Sequence, residues 1–338
     1  MGEGNLYVSV DYGRATGPAV DDGTRPWTRE DPPFWANASI WLEPGIDKAK
    51  VGQPSFIHVR VSNKSRQEMK NVQVQTFIFT PTVGVPVTFN DCIKNNGAKL
   101  GIPSGSGTNA ADDGNVVKIG PWTPGPGDLK GDGHMCLIAN VFQTEEGASP
   151  LPPDPGSHEI VSQDEDPFKP NGDSHQCQRN IQLLPATQQA IQQPVKVVYT
   201  TRPSSPTVHP RAYQIKMDLV DIDGFTADEL FILSRQPEIE FNGSESKDGE
   251  LRLKTSWGTE RIARGPRPLS FDLKAEGIPG FGQTFERDAK MPQDIPSELE
   301  VQIDPEAPVG SLHTFDITLH DEKELVGSGL RVMVLVTE

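Results

Sequence analysis

The sequence predicts an all-β protein built as two tandem β-sandwich domains with long loop insertions, on three observations. Glycine (32) and proline (31) are abundant in a chain of 338 residues. That suits short strands joined by turns and suits helices badly, because proline lacks a backbone donor and glycine is entropically costly in a helix. The apolar residues fall into short alternating runs rather than stripes of helical period. The length exceeds one sandwich and accommodates two domains of about 100–200 residues.

Taken in order, Leu6–Val10 is the first strand, followed by a polar Gly/Pro-rich stretch to about Pro33 whose Asp21-Asp22-Gly23 and Arg25-Pro26-Trp27 read as turns. Ser39–Leu42 is a short apolar strand. Ser55–Asn63 and Asn71–Thr80 alternate, with Val72, Val74, Thr76 and Ile78 on one side of the latter, so both are strands with distinct faces. Residues 84–118 read as an irregular Gly/Asn/Ser-rich insertion, with Val116–Ile119 and Trp122 as a return strand. His134–Phe142 is a strong core strand. A long acidic insertion over 144–175 separates it from a closing strand, Gln176–Leu184.

The second half repeats the theme with Val195–Thr200, Tyr213–Leu219, Glu238–Phe241, Leu251–Thr255, Leu269–Leu273, Leu299–Ile303, Ser311–Leu319 and Gly329–Val336. One helix is predicted, Thr226–Ser234, with Thr226 as its N-cap and Glu229 completing a capping box. The predicted organisation is an N-terminal strand and Pro/Gly-rich extension over 1–34, a sandwich over 35–185, a linker over 186–194 and a second sandwich over 195–338.

The formal net charge of −16 repels phosphate backbones and anionic lipid surfaces, which argues against nucleic acid as a partner. No run approaches the roughly 20 apolar residues of a membrane helix, so no membrane insertion is expected. The N-terminus, MGEGNLYVSVDYGR, lacks the basic start and apolar stretch of a secretory signal. Asn37-Ala-Ser39, Asn63-Lys-Ser65 and Asn242-Gly-Ser244 match the glycosylation sequon. Three cysteines do not make a disulfide framework; a single Cys136–Cys177 bridge and free buried thiols stand as alternatives.

Several stretches resemble the CARDB-like and related immunoglobulin-like modules of bacterial surface and secreted proteins. They are Ser39-Ile40-Trp41-Leu42, the run Val51-Gly52-Gln53 through Asn63, Asn71-Val72-Gln73-Val74, Ile119-Gly120-Pro121-Trp122, Gly133-His134-Met135-Cys136-Leu137-Ile138-Ala139 and Gln178-Arg179-Asn180-Ile181. The resemblance covers roughly residues 35–185. The second half is similar, more loosely, to the small β-sandwich that follows such modules, through Ala307–Ile317 and Val326–Leu330. It implies two tandem immunoglobulin-like β-sandwich domains without catalysis, serving adhesion, spacing or assembly in a surface, extracellular or assembly-associated setting. The insertions 84–118 and 144–175 depart from the pattern and are where recognition is expected, because loops on a rigid sandwich carry it.

The candidate chemistry is sparse. His134, Cys136, His175 and Cys177 form two His-x-Cys pairs that would hold zinc if their strands were neighbours with matching faces. Asp128 with Asp132, Asp112-Asp113 and Asp164-Glu165-Asp166 could offer oxygen ligands to calcium, the one cofactor considered, but none completes the twelve-residue calcium loop. Gly105-Ser106-Gly107 and Gly327-Ser328-Gly329 lack the following helix of a nucleophile elbow. Trp27, Phe34 and Trp35 lie in a Pro-rich loop and are the candidates for an exposed contact patch, with packing across the loop as the alternative. The expected function is therefore a non-catalytic structural or interaction module with a protein partner. A carbohydrate-binding module using loop aromatics and the accessory region of a hydrolase are the alternatives.

Overall fold

The computed structural model describes residues 6–10, 21–28, 33–45, 47–64, 68–84, 92, 94–102, 115–130, 133–143, 168–204, 209–220, 225–234, 239–240, 250–255, 258–322 and 324–338. In the first half the strands are β1 (Leu6–Tyr7), β2 (Ile40–Glu43), β3 (Ser55–Arg60), β4 (Ser62–Asn63), β5 (Met69–Phe79), β6 (Thr82–Gly84), β7 (Lys94–Ile102), β8 (Val116–Trp122), β9 (Cys136–Gln143) and β10 (Gln176–Arg179). Sheet β2-β3-β8 faces sheet β10-β9-β5-β7. Between them Ile40, Leu42, Ile57, Val59, Val72, Val74, Ile78, Val117, Ile119, Leu137, Ala139 and Val141 form one core. The two-residue period of a strand sends the other face of β5 elsewhere. Phe77 and Phe79 pack with Phe168, Cys136 and Ile138 in a second cluster on the far side of that sheet.

The remaining strands are β11 (Ile181–Thr187), β12 (Val195–Arg202), β13 (Arg211–Leu219), β14 (Ile239–Glu240), β15 (Glu250–Thr255), β16 (Gly258–Arg264), β17 (Ser270–Ala275), β18 (Thr284–Arg287), β19 (Ile295–Gln302), β20 (Ser311–Asp321), β21 (Glu324–Leu325) and β22 (Leu330–Thr337), with α1 (Ala227–Ser234) between β13 and β14. Sheet β17-β19-β12-β6 stacks on the larger sheet built around β11, β22, β20 and β13. Val197, Tyr199, Leu299, Val301, Tyr213, Ile215, Phe315, Ile317, Val332 and Val334 fill the space between. The other face of the larger sheet is also covered. Ile181, Leu183, Leu312, Met333 and Leu335 pack against Ile232 and Leu233 of α1 and against Trp41 of β2. Burial on both faces explains why β22 reads LRVMVLVT, an almost unbroken apolar run.

The two halves share strands, which tandem domains joined by a linker would not. The expected closing strand Gln176–Leu184 is two strands. β10 pairs antiparallel with β9 of the first sandwich, while β11 pairs in parallel with β22 of the second. Strand β6, which follows β5 of the first sandwich, pairs in parallel with β12 of the second. The crossover sits at Asn180, whose amide Nδ2 donates to the carbonyls of Thr82 (2.8 Å) and Gly329 (2.7 Å). Its backbone N–H donates to Trp35 and its carbonyl accepts from Arg331. Residues 186–194, expected as a linker, hold the end of β11 and a 3-10 turn, Ala190–Gln192, with Ile191 buried.

Insertion 84–118 contains a strand that composition did not suggest: β7 runs alongside β5 from Ile78↔Lys94 to Met69↔Ile102.

Candidate functional site

The predicted site residues are dispersed. Cys136 and Cys177 are both buried and free. Their strands are neighbours, but the register places Cys177 opposite Ala139, three positions from Cys136. An odd offset puts the two side chains on opposite faces of the sheet. Cys136 lies with Phe77 and Phe79, and Cys177 lies in the sandwich core, so the expected bridge is replaced by two separate thiols, each pushed up to about 12 by burial.

The zinc set disperses for a related reason. His134 Nε2 lies 3.0 Å from the Leu183 carbonyl and 3.3 Å from Asp47 Oδ2, at the junction of the two sandwiches. His175 is at the other end of β9, where its carbonyl accepts from Val141 and its Nδ1 lies 2.9 Å from Asp173. At ~3.3 Å per residue that is a separation of about 20 Å. Asp128 accepts the Gly125 N–H at 2.7 Å and closes its own turn. Asp132, Asp112, Asp113 and the 164–166 triplet lie outside the described residues. Among the described residues no three His, Cys, Asp or Glu side chains gather closely enough to hold a metal ion.

Trp27, Phe34 and Trp35, expected as an exposed patch, are 9%, 5% and 7% exposed and pack together with Val10. Trp35 meets Phe34 edge-on at 5.0 Å, rests on Gly329, and donates through Nε1 to Asp316 at 3.4 Å. Asp316 is in turn gripped by the buried Arg331 through two bonds, of 2.9 and 2.8 Å. The aromatics thus pin the N-terminal extension to the second sandwich. Asn37 and Asn63 of the sequons are fully buried, and Asn242 lies outside the described residues.

Two features gather surface and chemistry instead. The first is the end of the first sandwich at which β5 starts and β7 and β9 finish. Met69 pairs with Ile102, and Val72 pairs with both Leu100 and Gln143. The sequence segments 103–114 and 144–167 therefore depart from adjacent strand ends, although 40 residues lie between Ile102 and Gln143 along the chain.

The second is a cleft of about 210 Å³ in the second sandwich, lined by Leu219, Val220, Leu312, His313, Thr314 and the segment 264–268. Its origin is topological. One edge of β20 pairs with β16 at Ser311 and Leu312, then with β13 from Phe315 onward. The two partners diverge at His313 and Thr314 and leave a gap. The capping box read from the sequence holds two of its lining residues, Arg264 and Thr314, through Glu229. Thr226 N–H donates to Glu229 Oε2 (2.8 Å), and Glu229 N–H donates to Thr226 Oγ1 (3.3 Å). Glu229 is fully buried and also accepts a two-pronged bond from Arg264 (2.8 and 2.8 Å) and one from Thr314 Oγ1 (2.5 Å). His313 Nδ1 donates to the Pro266 carbonyl at 2.8 Å, and burial holds the imidazole pKa below its ordinary 6.5. The alternating pattern located β20. The gap depends on which strands flank it, which no local signal encodes.

The sequence matches no protein-family model and no curated protein sequence. Among solved structures it is similar to the CupB6 tip adhesin from Pseudomonas aeruginosa, at 10% identity and a TM-score of 0.25 over 88% of this chain and 98% of that one. It is also similar to a point mutant of the CFA/I enterotoxigenic E. coli adhesin CfaE, at 10% identity and 0.22 over 100% and 94%. The collagen adhesin from S. aureus follows at 8% identity and 0.21 over 88% and 91%. At TM-scores of 0.25 and below these likenesses carry no argument, and the fold and role of this chain rest on its own residues.

Proposed function

We propose that this chain is a non-catalytic interaction module, the structural or docking component of a larger protein assembly. Its partner would be engaged at the end of the first sandwich where Met69, Ile102 and Gln143 meet. The observation that carries this reading is the register there: two long insertions, far apart in sequence, attach to adjacent strand ends of a scaffold whose halves share strands. Such a scaffold holds a loop-borne recognition surface in fixed relation to whatever the second sandwich is attached to. The resemblance to CARDB-like modules supports a surface or extracellular setting, and the net charge of −16 disfavours polyanionic partners. A carbohydrate-binding role would need another surface, because Trp27, Phe34 and Trp35 are used in packing.

The test is recovery of the intact chain from cells of its source organism, sized and identified by mass spectrometry, beside a variant whose residues 144–167 are replaced by a short Gly-Ser linker. A stoichiometric complex formed by the parent and lost in the folded variant is expected. Recovery of the parent as a monomer overturns the assembly reading.

A further inference from the structure

His313 is placed so that its neutral form fits and its protonated form does not. The ring is 3% exposed. It lies so tightly over Gly265 that a Cβ at that position would overlap Cε1, Nε2 and Nδ1. Because Nδ1–H donates to the Pro266 carbonyl, Nε2 is the bare nitrogen, and it is buried without a hydrogen-bond partner. A proton added there creates a cationic N–H with no acceptor, in a site already closed to water. Beside the ring lies the cleft of about 210 Å³, the space into which an imidazolium can turn to reach solvent.

We propose that the segment Gly265–Pro268 is a pH-sensitive latch, held against β20 by neutral His313 and released when that ring takes up a proton. Release breaks the Nδ1–Pro266 bond and loosens two flanking backbone bonds, Gly265 N–H to Leu312 and Leu269 N–H to Gln302. It thereby opens one wall of the cleft. Among the described residues the charged groups around the ring are few. Arg267 lies on the segment itself and Arg264 immediately before it, at the end of β16 and already bound by Glu229. Arg331 on β22 is bound by Asp316 of β20, and Asp218 is on β13. Asp304, after β19, is the carboxylate that acts on the ring; it favours protonation, but desolvation outweighs it. The sign follows. The released ring protonates near 6.5 and the latched ring only at lower pH, so the latched state is fully favoured above about pH 7.5 and loses ground as pH falls below about 6.5.

The experiment is hydrogen exchange of the Gly265 and Leu269 amides at pH 7.5 and 5.5, corrected for intrinsic rates, in the full chain and in His313→Gln. The Arg331 amide, bonded to Asn180 in the core, is the internal reference. Expected is a severalfold loss of protection at the two latch amides in the parent at the lower pH, with none in the variant and no change at Arg331. An equal response in both proteins, or no response in the parent, overturns the proposal. So does an NMR titration of the parent in which His313 titrates at or above 6.5, a measurement that needs no variant.

Discussion

Replacing Glu229 by Ala tests whether the cleft-lining residues Arg264 and Thr314 are held by charge or by packing. The carboxylate is fully buried and receives four donors: the two nitrogens of the Arg264 fork, the Thr314 hydroxyl and the Thr226 amide. Alanine takes the Glu229 carboxylate away from a guanidinium whose side chain is 19% exposed, and from the Thr314 hydroxyl and the Thr226 amide. Removing one partner of a buried pair costs about 3–5 kcal/mol, and loss of a capping interaction adds about 1 kcal/mol. Because Arg264 reaches some water, the lower part of that range applies, giving a total of about 4 kcal/mol, or roughly a thousandfold in the folding equilibrium. For a chain of 338 residues that unfolds as one frame this corresponds to a fall of about 6 °C in Tm. Urea unfolding followed by tryptophan fluorescence and far-UV circular dichroism measures it. A double-mutant cycle with Arg264→Ala isolates the coupling, and the Glu229→Leu, Arg264→Leu double variant is expected to recover much of the loss because no charge is left unpaired. A loss under about 1 kcal/mol for Glu229→Ala, with a coupling near zero, would refute the reasoning.

Three further outcomes are expected. With a thiol reagent such as dithionitrobenzoate, half-buried Cys92 reacts in the native protein while Cys136 and Cys177, held neutral by burial, react after unfolding; native loss of a Cys136–Cys177 pair to oxidation would contradict the opposite-face register. Trp35→Ala is expected to cost about 3–5 kcal/mol by chemical denaturation, since it empties a packed aromatic site; an effect near zero would restore the exposed-patch reading. Gly84→Ala strains a residue at φ 115° and drives its Cβ into the Arg202 carbonyl, so it is expected to weaken the β6–β12 pairing and lower the midpoint of unfolding, whereas an unchanged midpoint would mean that β6 contributes little to the second sheet.

How much was legible depends on the distance over which each feature is specified. Features with a period or a local code came through. The alternation in β3, β5 and β20 locates those strands and their inward faces, and Thr226 with Glu229 marks the start of α1. Strands with polar, short or irregular sequences did not: β16 reads GTERIAR, β18 is TFER, and β7 contains two asparagines and two glycines. They are strands because partners exist for their backbones, through the pairs Leu251↔Ile262, Tyr213↔Phe285 and Phe77↔Asn95.

The two questions of functional weight that the sequence leaves open, an exposed or packed aromatic cluster and a bridged or free cysteine pair, are decided by the same physics. Trp35 sits in a sequence that looks like a surface loop, and what buries it is Gly329 and Asp316, nearly 300 residues away. Cys136 and Cys177 do lie on neighbouring strands, but whether two side chains on adjacent strands can meet is decided by register, and a shift of one residue reverses the answer. Register here is set by the crossover at Asn180, where β10 ends in one sandwich and β11 begins in the other. A side chain that donates to Thr82 and Gly329 at once cannot slide along either sheet without losing both bonds. The same crossover that hides the cysteine geometry from a local reading therefore ties the two sandwiches into one frame, the property on which the proposed docking role depends.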